Sequence, residues 1–333
     1  MSPRAARRSK PLAGPSRRSG FGKDLLTISA IPRDEIHALL RSAQDLKRAR
    51  ARGLSHQYLP GLTLGLLFEK PSTRTRVSFE AGMNQLGGQA LFLPASDIQL
   101  SRGESIADTA RVLSRYLDAL VIRTFDHAVL EKWASEATIP LINGLTDFCH
   151  PCQALSDLMT IREKKGRLKG LKIAYVGDGN NVAHSLIESA AKTGMGISLG
   201  CPAGYGPDQR VVDQARVEAE ETGGFVELFE DPALAVKEAD VVYTDVWISM
   251  GREREQTRRL KALTPYQLNE RLLRRARQGA ILMHCLPAHR GQEITDDVLD
   301  GPQSVVLDQA ENRLHMQKAI LVKLLRAKVK RKK

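Results

Sequence analysis

The chain has 333 residues, 42% of them apolar and 26% charged, with a formal net charge of +12, which predicts a globular, soluble protein of two domains. No apolar run approaches the roughly 20 residues of a membrane-spanning helix, and no signal-peptide apolar region follows the N-terminus. The four cysteines, Cys149, Cys152, Cys201 and Cys285, are too few and too scattered for a disulfide scaffold, so a reducing cytoplasm is the expected compartment.

The positive charge sits at the two ends. Residues 1–23 carry seven Arg or Lys and no acid, and residues 323–333 carry seven more and no acid; removing these 14 from +12 leaves −2 for the body. A near-neutral body without a nucleic-acid motif counts against a nucleic-acid-binding module. Residues 1–23, rich in Pro, Gly and Ser, read as a basic, disordered extension, and 328–333 as a basic tail. A transit peptide would also be basic and free of acid, but prolines at 3, 12 and 15 argue against its amphipathic helix.

From Ile31 onward the pattern alternates. Pro32, with Asp34 and Glu35, starts a helix whose apolar stripe is Ile36, Leu39, Leu40, Ala43 and Leu46. The apolar run Leu62–Phe68 predicts a buried strand; after it comes STRTRVSFE, residues 72–80, and a helical spacing of Val77, Phe79, Met83 and Leu86 that stops at Gly87–Gly88. In a strand–loop–helix order, Ser72, Thr73, Arg74 and Thr75 converge with the free amides of a helix N-terminus, where an anion is favoured. The competing reading is a plain N-cap with solvated arginines.

Short apolar runs then recur at QALFL, DALVIRT, IPLIN, LKIAYVG, GISLG, FVELF, ADVVYTDVW and AILMHCL, with helical spacing between most of them. Buried strands alternating with amphipathic helices predict an α/β fold of two doubly wound parallel-sheet domains. The seam falls near Pro151, giving domains of 24–150 and 151–310, with a closing helix of about 311–327 returning to the first. Polar clusters follow the strands, where such sheets bind ligands.

Taken in turn, these clusters keep alternatives open. Arg123 ends the strand DALVIRT and needs an anion or a structural acid as partner. CHPC, residues 149–152, has the spacing of a redox pair or half a zinc site; the alternative is that His150 and Gln153, one turn apart, matter and the cysteines fill space. GDGNN, residues 177–181, is a weak dinucleotide match, because Val182 stands at the third small position and no acid ends the next strand. A polar loop presenting Asn181 to a ligand fits better. Asp245 and Ser249 suit an ammonium group, or an Asx turn. Cys285, after His284, says little alone.

Together STRTRVSFE, HPCQALSDLMTI, TDVWISMG, HCLPAHRG and DQAENRLHMQKAIL, in that order, resemble the ornithine carbamoyltransferases, within the wider carbamoyltransferase group that shares the first two elements. The resemblance spans about Lys23 to Leu325. It implies that carbamoyl phosphate is held by Ser72, Thr73, Arg74, Thr75, Arg123, His150, Pro151, Cys152 and Gln153. Cys285, Leu286 and Arg313 would lie near the reacting centre, and Gln99 would reach in from a neighbouring subunit of a trimer. It implies ornithine binding by Asn181, Asp245, Ser249 and Met250, catalysis centred on Arg123, His150 and Cys285, and no cofactor or metal. The product would be citrulline, in the biosynthetic direction rather than the catabolic one. Ser101 and Cys149 depart from the pattern, where Gly and an aromatic are common. Other amines, such as putrescine or an acylated ornithine, and a non-reacting carbamoyl-phosphate binder are the rivals; Asp245 with Ser249 and Met250 favours a free α-amino group.

Overall fold

A computed structural model describes residues 22–248 and 253–331. The first unit runs α1 (Arg33–Ala51), β1 (Thr63–Phe68), α2 (Thr73–Gln85), β2 (Gln89–Pro94), α3 (Ile106–Tyr116), β3 (Ala119–Arg123), α4 (His127–Glu136) and β4 (Leu141–Leu145). The second runs α5 (Pro151–Lys165), β5 (Lys172–Val176), α6 (Asn181–Thr193), β6 (Gly196–Gly200), α7 (Gln209–Thr222), β7 (Phe225–Phe229), α8 (Pro232–Val236) and β8 (Val241–Thr244). It continues through α9 (Gln256–Leu263), α10 (Glu270–Leu273), β9 (Ile281–His284) and α11 (Asp296–Leu299) to α12 (Val306–Arg331).

Two sheets form, β2-β1-β3-β4 and β7-β6-β5-β8-β9, and every pairing in both is parallel, as the apolar runs predict. In each sheet the chain steps outward and then returns to the other side of its first strand, between β1 and β3 and between β5 and β8. Loops leaving neighbouring strands there part to opposite faces, so a crevice opens beyond the carboxyl ends. STRTR follows β1, Arg123 ends β3, GDGNN follows β5, and Asp245 follows β8.

One apolar core runs through both sheets: Leu64, Leu66, Val121 and Ile142 share it with Ile173, Tyr175, Tyr243 and Met283, bridged by Leu155 and Leu158 of α5 and Ile320 and Leu321 of α12. Burying each such side chain contributes about 1.5–3 kcal/mol. Smaller clusters cover the outer faces, around Trp133 on the first sheet and Leu282 and Ile294 on the second. The α1 stripe Ile36, Leu39, Leu40, Ala43 and Leu46 is buried as its spacing predicts.

Two expectations need correction. FVELF reads as a buried strand, but β7 is an edge strand with Phe225 and Leu228 exposed, because nothing pairs beyond it in the sheet. The closing helix begins at Val306 rather than near 311, since Val305 and Val306 already pack inward, and it continues to Arg331 through residues read as tail. Lys328 donates to the Asp118 carbonyl at 2.7 Å and Arg326 lies over the Tyr58 ring, which ties down that end. Among the described residues no helix is long and apolar enough to cross a membrane.

Candidate active site

A cleft of about 660 Å3 lies between the carboxyl ends of the two sheets. Of the residues read from the sequence, Ser72, Thr73, Arg74, Thr75, Arg123, His150, Asn181, Asp245, Cys285, Leu286 and Arg313 line it. Pro151, Cys152 and Gln153 stand behind the wall, and Gln99 lies exposed on a 3-10 turn and does not line it. Ser249 and Met250 lie outside the described residues.

At the STRTR segment both readings hold at once. Ser72 caps α2, its Oγ accepting from the Thr75 amide at 3.2 Å and donating to Thr75 Oγ1 at 3.0 Å. The first helical turn then faces the cleft with its amides unpaired by helix geometry. Two residues apart on a helix point nearly opposite ways. Arg74 accordingly faces the cleft, whereas Arg76 turns away to pair with Glu80 at 2.9 Å and lie over Phe92.

Arg123 is 6% exposed, and among the described residues no acid pairs with it; its Nε has no hydrogen-bond partner. Burial first, then the neighbouring Arg313 and, to a lesser degree, Arg74 pull it down to about 10. Three guanidiniums that disfavour one another in a buried cleft are an arrangement an anion relieves. Arg313 points one Nη at Gln153 Oε1 and the other at Thr75 Oγ1, 2.6 Å away. His150 is buried, and burial with Arg313, Arg123 and Arg74 holds its ring well below the ordinary range, so the imidazole is neutral.

Across the cleft, Asp245 accepts from the Cys285 thiol at 2.9 Å and from Asn180 Nδ2 at 2.8 Å. Burial, then the carboxylate beside it, push the Cys285 thiol up, so it stays a protonated donor and not a thiolate. Leu286 has φ +57° and is joined to Pro287 by a cis peptide, which turns the chain beside the cleft. Asn181 donates to the Thr146 carbonyl at 2.6 Å.

Sequence reasoning missed Asn180, whose Oδ1 caps α6 by accepting from Val182 and Ala183 while its amide orients Asp245. It also missed Lys70, buried against Asp147 and the Phe125 ring, though Lys70 stands inside the quoted cluster EKPSTRTR. The glycines of GDGNN serve the backbone: Gly177 takes φ +127°, and a Cβ on Gly179 would meet Pro207 N at 2.3 Å. Both CHPC cysteines are buried and free, and burial drives their thiols up, Cys152 to about 12, so neither carries redox chemistry as a thiolate. Asp245, His284 and Cys285 bring one possible metal ligand each within 4.8 Å. Yet His284 Nδ1 accepts from the Leu286 amide and Nε2 faces Glu293, so its ring is committed to protein contacts.

The fold and these side chains define an α/β protein with an oxyanion pocket on one sheet edge facing a carboxylate on the other. Residues 23–163 match the family model described as aspartate/ornithine carbamoyltransferase, carbamoyl-P binding domain, and residues 169–324 match the Asp/Orn binding domain of the same family. The chain is 57% identical over 299 residues to ornithine carbamoyltransferase of Syntrophus aciditrophicus, covering 90% of this chain and 98% of that one. It is 56% identical over 300 residues to the Pyrococcus furiosus protein named as the anabolic ornithine carbamoyltransferase, covering 90% and 95%. The solved structure of ornithine carbamoyltransferase from Pyrococcus furiosus superposes with a TM-score of 0.88 at 55% identity, over 91% of this chain and 96% of that one. The chain belongs to the aspartate/ornithine carbamoyltransferase family.

Proposed function

We propose that the protein transfers the carbamoyl group of carbamoyl phosphate to the δ-amino group of L-ornithine, giving L-citrulline and phosphate. The observation that carries this reading is the meeting of Arg74, Arg123 and Arg313 on one side of a cleft with Asp245 on the other. Residues 24–150 with α12 supply the carbamoyl-phosphate half, and 151–310 the ornithine half. Ser72, Thr73, Arg74, Thr75 and the α2 amides hold the phosphate. Arg123 and neutral His150, with Thr75 and Arg313, face the carbonyl oxygen as negative charge grows on it.

The neutral δ-amine attacks the carbonyl carbon, and the new C–N bond forms as the C=O electrons move to oxygen. Collapse of that oxyanion breaks the C–O bond to phosphate, whose departure the guanidiniums favour. The proton released from nitrogen goes to the departing phosphate. Asp245 binds the α-ammonium and Asn181 the carboxylate of ornithine; Ser249 and Met250 complete that half, and Cys285 with Leu286 flanks the δ-amine. Gln99 is supplied by a neighbouring subunit of a trimer. The biosynthetic direction accords with the name of the anabolic relative from Pyrococcus furiosus, and the cytoplasm is the compartment this chain's few scattered cysteines suit.

Purified protein given carbamoyl phosphate is expected to form citrulline from ornithine in clear preference to reaction with putrescine, aspartate or N-acetylornithine. Preference for another amine would overturn the ornithine half, and inactivity with all four would overturn the reaction.

A further inference from the structure

Asp157 lies fully buried on α5, one helical turn beyond Gln153, and none of the site residues read from the sequence accounts for it. Its Oδ1 accepts hydrogen bonds from Gln153 Nε2 and Gln309 Nε2, both at 2.8 Å, and its Oδ2 accepts from the Tyr243 hydroxyl at 3.1 Å. Each glutamine then reaches a different part of the cleft. Gln153 Oε1 accepts from Arg313, whose other Nη donates to Thr75. Gln309 Oε1 accepts from the His284 amide at 3.0 Å, one residue before Cys285, and Tyr243 stands two residues before Asp245.

A primary amide can face either way, and its flanking backbone does not decide which. An ionised carboxylate only accepts hydrogen bonds, so it turns both NH2 groups inward and both carbonyl oxygens outward. Those outward oxygens meet a guanidinium and a backbone N–H, neither of which can accept. Desolvation pushes the Asp157 carboxyl up to about 7, against the donors from Gln153, Gln309 and Tyr243 and the charge of Arg313.

We propose that Asp157 is a positioning residue: by fixing which way Gln153 and Gln309 face, it aims Arg313 into the phosphate half of the cleft and holds the Cys285 end of β9 in register with it. The inference rests on the proposed carbamoyl transfer for what the cleft binds, and on the hydrogen-bond chain for everything else.

The test compares wild type, D157N and D157L. D157N keeps an oxygen where Oδ1 accepts from both glutamines and sets its NH2 at the Oδ2 position, facing the Tyr243 hydroxyl, which can accept. D157L fills a similar volume with no acceptor, so both inward amide groups lose the oxygen that anchors them. Calorimetry gives the Kd for inorganic phosphate, steady-state assays give KM and kcat, and melting curves report folding.

D157L is expected to weaken phosphate binding and raise the carbamoyl phosphate KM about tenfold or more, the scale of one misplaced charged hydrogen bond. D157N is expected to keep most of both, a split between the two variants that a residue serving only as filler would not show. Wild-type phosphate affinity in D157L would overturn the proposal, as would a D157N that binds no better than D157L. Should D157L fail to fold, D157A, which admits water that can accept or donate and so fixes neither glutamine, decides by the same readings. Wild type that binds phosphate but makes no citrulline would sink the proposed reaction while the phosphate arm still tests Asp157.

Discussion

Arg123 concentrates the central trade of this cleft: a guanidinium kept buried, beside two others, with no acid among the described residues to balance it. An uncompensated buried charge costs stability, and the same charge stabilises an oxyanion once substrate arrives. R123M should therefore lower kcat by about 10²–10³-fold, the range found on removing one preorganised donor, while raising the melting temperature of the free protein. Loss of activity together with loss of stability would mean that Arg123 holds the fold rather than the substrate. The thiol at Cys285 makes a second test at this scale. C285A removes the donor to Asp245 and should cut turnover on the order of tenfold, the worth of a hydrogen bond to a charged group. Unchanged turnover with an unchanged pH profile would sink a role beside the amine. These residues were legible because charge and hydroxyls at a strand end have few reasons to be there. Asn180 was not: neighbouring asparagines after Gly179 cannot be told apart until the cap of α6 assigns one. Gln153 was read as a site residue, and its amide meets Arg313 and Asp157 behind the wall.

At the scale of elements, the strands were readable as short apolar runs because parallel sheets bury both faces. What failed was context: FVELF has the composition of a covered strand, and only the sheet order makes it an edge. The start of α12 was hidden because Val305 and Val306 favour strands by composition yet pack inward at the helix start. That helix carries its own pH signature. Lys318 is buried where α12 meets α2, donating to Gln85 Oε1 at 2.9 Å with His56 Nε2 at 3.2 Å, and desolvation with nearby Arg50 lowers it to about 8. In the unfolded chain the amine holds its proton up to the ordinary 10.5, so between 8 and 10.5 the unfolded state binds more protons. Stability contributed at this site must then rise with pH across that window. Urea midpoints at both ends of the window should rise in wild type by more than in K318M; equal changes in the two proteins would exclude Lys318 as the source.

For the molecule as a whole, the exposed place of Gln99 separates two architectures. If Gln99 served its own chain it would have to fold back to a cleft it does not line; if it serves a neighbour, the site is complete only in the assembly. Val77, Leu91, Val112 and Tyr116 are exposed apolar residues on α2, β2 and α3, around the same edge of the first sheet, as a covered interface requires. On the second architecture, in a closed ring of three, each cleft would pair Arg123 of one chain with Gln99 of the next across a head-to-tail contact. R123M and Q99A protomers, unfolded, mixed in equal amounts and refolded, then generate some clefts with both residues intact. A cleft needs its Arg123 from a Q99A chain and its Gln99 from an R123M chain, each drawn half the time, so about a quarter of the clefts are whole in a ring with such contacts. Recovery toward that fraction from two nearly inactive variants, with a trimer mass in solution, would establish the shared site. A mixture no more active than its parents would return Gln99 to its own chain and leave the apolar flank to some other partner.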